Sequence, residues 1–114
     1  MSFLSALVNK WVLVAALPYI AIAAYDFRLH ETDRRVPPAE RACHAVTITS
    51  VILFLLLAAL GQDVAAAAVL VVMLIAAAID EFQFHTYLDP HERRVHFMGG
   101  AAWMFCIGVW FWTI

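Results

Sequence analysis

Long apolar stretches constrain the fold of this chain more than any other feature of its sequence. Four of them follow one another, at about 7–27, 40–60, 64–87 and from 90 to the C-terminus. Each has about 20 residues or more, enough for an α-helix to cross a hydrocarbon core of about 30 Å. Hydrophobic residues make up 65% of the chain and charged residues 14%, against roughly 45–50% and about 25% in soluble domains. The sequence therefore predicts an all-α integral membrane protein.

Prolines and a glycine mark where these helices begin and end. Pro37 and Pro38 suit the first turn of the second helix and Pro90 the first position of the fourth, because a first turn does not use the N–H that proline lacks. Gly61 opens a tight turn, after which Asp63 is the predicted N-cap of the third helix. The first stretch is read as a retained span, not as a signal peptide. We predict one up-down four-helix bundle over residues 1–114.

One motif occurs twice and divides the chain into two halves. It pairs a carboxylate with a histidine four residues later, a spacing that places both side chains on one helix face. The first half reads D-F-R-L-H and then E-R-A-C-H, and the second E-F-Q-F-H and then E-R-R-V-H. We predict two tandem two-helix repeats, about 7–60 and 64–114, related by a pseudo-twofold axis along the membrane normal. The eight motif residues are Asp26, His30, Glu40, His44, Glu81, His85, Glu92 and His96.

These eight side chains are predicted metal ligands. The up-down topology brings all four pairs to the same end of the bundle, and at about 1.5 Å per residue one member of each pair falls in a common layer. Carboxylate and imidazole together suit iron, manganese or zinc. Intramembrane carboxylates without cations cost about 2.5–3.5 kcal/mol each near the bilayer centre. Two divalent ions, with iron as the leading candidate, would offset most of that cost.

Helix dipoles explain only part of this pattern. Glu40 and Glu92 lie in first turns, where the dipole favours an anion. Asp26 and Glu81 are anions near helix C-termini, where the dipole disfavours them. A metal site gives a direct reason for both placements.

Two polar residues close to the motif receive simpler roles. His91 has no carboxylate four residues before it, and we expect it at the surface. Asp80 points about 100° around the helix from Glu81, so we expect it to support a ligand or to cap the helix.

Small residues on the fourth helix predict close helix packing. Gly99, Gly100, Ala101, Ala102 and Gly108 would let a neighbouring backbone approach, as small residues do between membrane helices. We read them as packing residues and assign them no role with a substrate.

Arginine placement predicts the orientation in the membrane. Six arginines flank the first and third connections, and Lys10 is the one basic residue at the opposite end. Because cytoplasmic loops carry an excess of Lys and Arg, both connections are placed in the cytoplasm and both termini outside. The predicted location is the inner (plasma) membrane, with several spans.

In general layout the chain resembles the integral-membrane di-iron hydroxylases and desaturases, which carry their ligands on the cytoplasmic side of a helical membrane domain. Their motifs are histidine boxes, whereas this sequence has five histidines in all and no H-x-x-H-H. Its carboxylate and histidine set is closer to the soluble di-iron carboxylate bundles. The resemblance implies O₂-dependent oxidation of a lipid-like or quinone-like substrate that enters from the bilayer, and no residue is carried over from it.

Three other functions remain open on the sequence. A haem b electron carrier with His44 and His96 as axial ligands would explain the histidines but not their carboxylates. A divalent-cation transporter or proton relay would need a polar path through the apolar halves of the helices. The chain could also serve as an accessory subunit of a larger membrane complex, or act with a redox partner. A net charge of −2 without a basic run gives no sign of nucleic-acid binding.

Overall fold

The computed structural model describes residues 8–32, 38–84 and 90–114, with the backbone alone at 29–32 and 83–84. All four elements in these ranges are helices: α1 (Lys10–Thr32), α2 (Pro38–Ala59), α3 (Asp63–Phe84) and α4 (Pro90–Thr113). The all-α prediction is confirmed for this part of the chain, as are the helix starts at Pro38 and Pro90. Each helix is long and apolar enough to cross a membrane.

Hydrogen bonds between helix ends establish the up-down order. The N–H of Asn9, just before α1, donates to the carbonyl of Ala59 at the end of α2 over 2.9 Å. Asn9 Nδ2 donates to Thr113 Oγ1 at the end of α4 over 2.6 Å, and Trp110 Nε1 donates to Asp63 Oδ1 at the start of α3 over 3.3 Å. We call this end of the bundle the closed end. The opposite end, where α1 and α3 finish and α2 and α4 begin, is the polar end.

The turn between α2 and α3 has the geometry of a Schellman motif. Gly61 has a φ of +79°, a left-handed conformation that glycine adopts without steric cost. Its N–H donates to the carbonyl of Ala58 over 3.1 Å, and the N–H of Gln62 donates to that of Leu57 over 2.8 Å. These two bonds satisfy carbonyls that the end of a helix leaves without an intrahelical partner. The predicted tight turn is confirmed, and α3 begins at Asp63.

The buried core fills the bundle from the closed end to its middle. Phe54 is fully buried, and its ring lies edge-on to Trp103 and Trp110, with centroids 5.4 and 5.2 Å away. Such aromatic pairs add about 0.5–1.5 kcal/mol beyond the area that they bury. The other members of this core are Val12, Ala16, Val51, Leu55, Ala58, Ala66, Leu70, Met73, Cys106 and Ile107. Because all of them come from the closed half or the middle, the polar half is left with room for a cavity.

The helices pack as two close pairs. α1 lies along α4 and α2 along α3, while α1 also contacts α2. A Cβ built on Gly99 would lie 3.4 Å from Ile22 Cγ2 in α1, so the predicted close approach is confirmed there. At Gly100 and Gly108 a Cβ would meet no heavy atom of residues 8–32, 38–84 or 90–114 within 4 Å, apart from chain neighbours and the helix's own backbone. The packing prediction is wrong for these two glycines, which face open space.

Large apolar side chains cover the outside of the bundle. Examples with more than three quarters of their surface exposed are Val8, Val64, Phe82, Phe97 and Trp112. Soluble monomers rarely expose contiguous apolar patches of this kind. Together with the length of the helices, this surface indicates a membrane protein.

Candidate metal centre

A glutamate, a histidine and an aspartate converge at the polar end between α2 and α3. Glu40 and Asp80 are 1% and 7% exposed, and His44 is partly buried. His44 Nε2 lies 3.3 Å from Asp80 Oδ2 and 3.8 Å from Glu40 Oε1. One donor atom from each residue lies within 4.8 Å of the other two. We call these three residues the His44 triad.

The spacing of the triad fits a metal ion. Bonds of about 2.0–2.2 Å from a metal to nitrogen and oxygen put neighbouring donors roughly 3.0–3.5 Å apart. The observed separations of 3.3 and 3.8 Å around His44 Nε2 need only small side-chain movements to reach that range. Nitrogen and carboxylate oxygen together suit transition metals such as iron, manganese and zinc.

Local sequence explains two members of the triad. Pro38 starts α2, which places Glu40 in the first turn, where the dipole favours an anion. His44 follows one turn later on the same face, so the predicted pairing of these two residues is present. Asp80 comes from α3, whose packing against α2 brings it to the histidine. Sequence reasoning gave Asp80 a supporting or capping role, whereas the structure places it among the candidate donors.

A second group forms around His96 and draws on three helices. His96 Nδ1, on α4, lies 3.4 Å from Asp26 Oδ2 on α1. His96 Nε2 lies 2.7 Å from Glu81 Oε2 on α3. We call these three residues the His96 cluster. A carboxylate on one imidazole nitrogen orients the ring for a metal at the other nitrogen, and Asp26 is placed to do this at Nδ1. The 2.7 Å between Nε2 and Glu81 is a hydrogen-bond distance, so these two atoms would have to move apart by a few tenths of an ångström to share an ion.

Three predicted ligands, His30, His85 and Glu92, do not belong to the His44 triad or the His96 cluster. Glu92 lies in the first turn of α4 and is buried, while His96, four residues later, turns its nitrogens to Asp26 and Glu81. The side chain of His30 and the whole of His85 lie outside the described residues, so their roles as ligands stay predictions.

His91 stands apart from both groups, as expected. It is exposed, and its Nε2 lies 2.9 Å from the hydroxyl of Tyr25 on α1. The two rings meet edge to face with centroids 5.9 Å apart. The surface placement that the sequence predicted is confirmed.

Both groups face one cavity of about 1030 Å³. Residues of all four helices line it, and its polar wall holds Asp26, His44, Asp80, Glu81, Arg93 and His96. Asp26 and Asp80 each turn Oδ2 to a histidine, and the Oδ1 atom of each is buried with no hydrogen bond to the described residues. A ligand in this cavity would reach residues of the His44 triad and of the His96 cluster.

Comparison with known proteins adds no relative. No protein-family model, curated protein or solved structure matches the chain. What the chain itself provides is an all-helical bundle, long enough to span a membrane, with a Glu40, His44 and Asp80 group close enough together to hold a metal ion.

Proposed function

We propose that this chain is an integral membrane metalloprotein with a two-metal site at its polar end. The convergence of Glu40, His44 and Asp80, with donor atoms within 4.8 Å of one another, is the observation that carries the proposal. One ion is assigned to this triad. The second is assigned to the His96 cluster, at Nε2 of His96 and Oε2 of Glu81.

Charge supports two ions rather than one. The His44 triad and the His96 cluster together contain four carboxylates, from Glu40, Asp80, Asp26 and Glu81. Two divalent cations can be accommodated by these four negative charges, to which Arg93 on the same cavity wall adds one positive charge. The remaining ligands of the second ion would come from the other motif residues, His30, His85 and Glu92.

The metal that we propose is iron, and the reaction an O₂-dependent oxidation of a lipid-like or quinone-like substrate. Iron accepts both imidazole and carboxylate ligands and would supply the redox chemistry. The cavity supports this reaction class because its apolar walls adjoin both groups of ligands. Zinc in its place would keep the two-metal site and exclude the oxidation, because Zn²⁺ has no redox chemistry, whereas manganese is redox-active as iron is.

Haem b is disfavoured by the histidine contacts. A haem iron needs one imidazole nitrogen from each axial ligand. Both nitrogens of His96 face carboxylates, and Nε2 of His44 faces Asp80. Mixed carboxylate and imidazole ligands instead suit single divalent ions such as iron or zinc.

The packing of the helices supports the two-repeat organisation. A twofold axis that exchanges the halves would exchange α1 with α3 and α2 with α4, and it would therefore turn the α1–α4 pair into the α3–α2 pair. These are the two close pairs of the bundle. Each pair also carries one histidine–aspartate contact, His96 with Asp26 and His44 with Asp80.

The arginines support an orientation with the polar end towards the cytoplasm of the inner (plasma) membrane. Arg28, Arg41, Arg93 and Arg94 lie in the polar halves of their helices, and Lys10 lies at the closed end. By the positive-inside rule, both chain termini are then outside. A redox partner or larger complex would approach the two-metal site from the cytoplasmic side.

Elemental analysis of the detergent-purified chain tests the two-metal site. We expect about two iron ions per chain, about one in each of the variants His44→Ala and His96→Ala, and an unchanged content in the control His91→Ala. A folded wild-type chain free of metal would contradict the proposal. A strong Soret absorption band would replace it with haem ligation.

A further inference from the structure

The cavity continues from the ligands into an apolar chamber between α3 and α4. Contacts bridge these two helices near both of their ends, through Glu81 and His96 at the polar end and through Asp63 and Trp110 at the closed end. Between the bridges the walls carry small or apolar side chains: Met73, Leu74, Ala77, Ala78, Gly99, Gly100, Ala101, Trp103 and Met104. Gly100 faces open space there. The small residues thus make room for a ligand in the middle of the bundle.

The indole of Trp103, on the apolar part of this wall, has no hydrogen-bond partner in the part of the chain that the structure describes. Trp103 is 4% exposed, and its Nε1 is buried without a hydrogen-bond acceptor among the described residues. Its ring is held by Tyr19 and Phe54, with centroids 4.8 and 5.4 Å away. Trp110, in the same core, donates its Nε1 to Asp63. Buried indole N–H groups usually have an acceptor, and none of the described residues supplies one to Trp103.

The charges on the wall define the kind of acceptor. Three carboxylates and one arginine, Arg93, line the cavity. Without bound metal, this excess of negative charge disfavours a fatty-acid carboxylate or a phosphate head group, because like charges repel at short range. With two divalent ions in place, the four carboxylates of the His44 triad and the His96 cluster balance them, so the wall offers an anion little net attraction. A neutral oxygen, such as a carbonyl, can accept from Trp103 without that penalty.

We propose that this chamber binds a neutral quinone-class lipid, with a ring carbonyl accepting a hydrogen bond from Trp103 Nε1. The quinone ring packs against Tyr19 and Trp103, whose faces offer an aromatic surface. The tail lies along Met73, Met104 and the small residues between α3 and α4. A volume of about 1030 Å³ suits such a molecule, since pockets for drug-sized ligands span about 300–1,000 Å³. That the chamber is the substrate site rests on the proposed function, whereas quinone binding itself needs no metal.

Indole NMR resonances test the hydrogen bond directly. The chain has four tryptophans and so four indole N–H signals, and the signal missing from Trp103→Phe identifies Trp103. The probe is a benzoquinone with a ten-carbon tail, added to the full chain in nanodiscs, either loaded with Zn²⁺ or washed with a chelator. We expect the Trp103 proton to move downfield and saturate, with a smaller change at Trp110. An unmoved Trp103 signal, or an equal shift with palmitate or phosphatidylglycerol, overturns the proposal.

Matched glycine variants test the position of the ligand. Gly100→Leu places a side chain in the chamber, while Gly108→Leu places the same side chain on α4 at another open position away from it. We expect Gly100→Leu to weaken quinone binding at least tenfold and Gly108→Leu to leave it unchanged. Equal affinities in the two variants would contradict the proposal.

Tryptophan variants measure the contribution of the donor. Trp103→Phe should weaken quinone binding roughly two- to twelvefold, the effect of one neutral hydrogen bond. Trp110→Phe, which removes a donor outside the chamber, should leave the affinity unchanged, and an equal loss in both variants would count against the proposal.

The two proposals fail separately. Two metal ions per chain without quinone binding would refute this inference alone. Quinone binding to a chain that takes up no metal would refute the proposed function.

Discussion

Replacing Asp80 by asparagine tests the residue that the structure adds to the predicted ligands. Asparagine keeps the size and burial of Asp80 but removes the negative charge that faces Nε2 of His44 over 3.3 Å. One of the two anionic donors of the triad is thereby lost. Mutating even groups that only support metal ligands weakens metal binding 10–100-fold, so we expect at least that loss here, about 1.4–2.7 kcal/mol.

A metal that binds only the folded chain raises its free energy of unfolding, so weaker metal binding can be measured as a smaller stabilisation. At a metal concentration 100 times the dissociation constant, binding adds about 2.7 kcal/mol to the free energy of unfolding of the wild type. At the same concentration, a variant whose binding is 10–100-fold weaker gains roughly 0.4–1.4 kcal/mol. Competition with a chelator gives the affinities, and thermal unfolding with and without metal gives the stabilisation.

The matched control is Asp63→Asn, on the same helix at the closed end. The asparagine side chain would keep an oxygen to accept the hydrogen bond from Trp110, so metal affinity should not change. Wild-type affinity in Asp80→Asn, or equal weakening in the two variants, would refute the assignment of Asp80 as a ligand.

Three further predictions concern the fold and its orientation. Phe54→Ala should reduce the free energy of unfolding in detergent by about 3–5 kcal/mol, because Phe54 is fully buried and its ring contacts Trp103 and Trp110. Phe111 is exposed, so Phe111→Ala should change the free energy of unfolding by less than about 0.5 kcal/mol. Gly61→Ala should lower the free energy of unfolding by about 1–2 kcal/mol, because Gly61 has a left-handed φ of +79°. Gly108→Ala, within a helix at an open position, should leave the free energy of unfolding unchanged or raise it by up to about 1 kcal/mol. The orientation can be tested in a bacterial host with alkaline phosphatase, which is active only outside the cytoplasm. The enzyme should be active when fused after Ile114 and inactive when inserted at residue 35, and the reverse result would invert the proposed orientation.

Local signals in the sequence were sufficient for the helices and their order. Pro38 and Pro90 act on the first turn of their own helices, and Gly61 acts on its own turn, so no long-range packing is needed to predict these boundaries. The pairing of Glu40 with His44 is local in the same sense, because it lies within one turn of α2.

The candidate site could be predicted only in part, because its contacts cross between helices. The four-residue spacing led to Glu92 as the partner of His96, yet both nitrogens of His96 face carboxylates of α1 and α3. Asp80 has no histidine four residues away, and its role depends on how α3 is rotated against α2. The rotation of packed helices is set by the whole interface and cannot be obtained from spacing along one helix.

The cavity was missed for a related reason. Small residues in a membrane helix can serve close packing or leave space, and their sequence does not distinguish the two. Gly99 meets Ile22 of α1, while the adjacent Gly100 faces the chamber. Adjacent residues on an α-helix point about 100° apart, so Gly99 can pack against α1 while Gly100 faces the chamber.

Anomalous diffraction from iron-loaded crystals of the chain tests the two-metal site most directly. We predict two peaks at the iron absorption edge. One should lie within about 2.3 Å of His44 Nε2 and of oxygens from Glu40 and Asp80, and the other beside His96 Nε2 and Glu81. An iron-soaked crystal with no anomalous peak among Glu40, His44 and Asp80 would contradict the central claim.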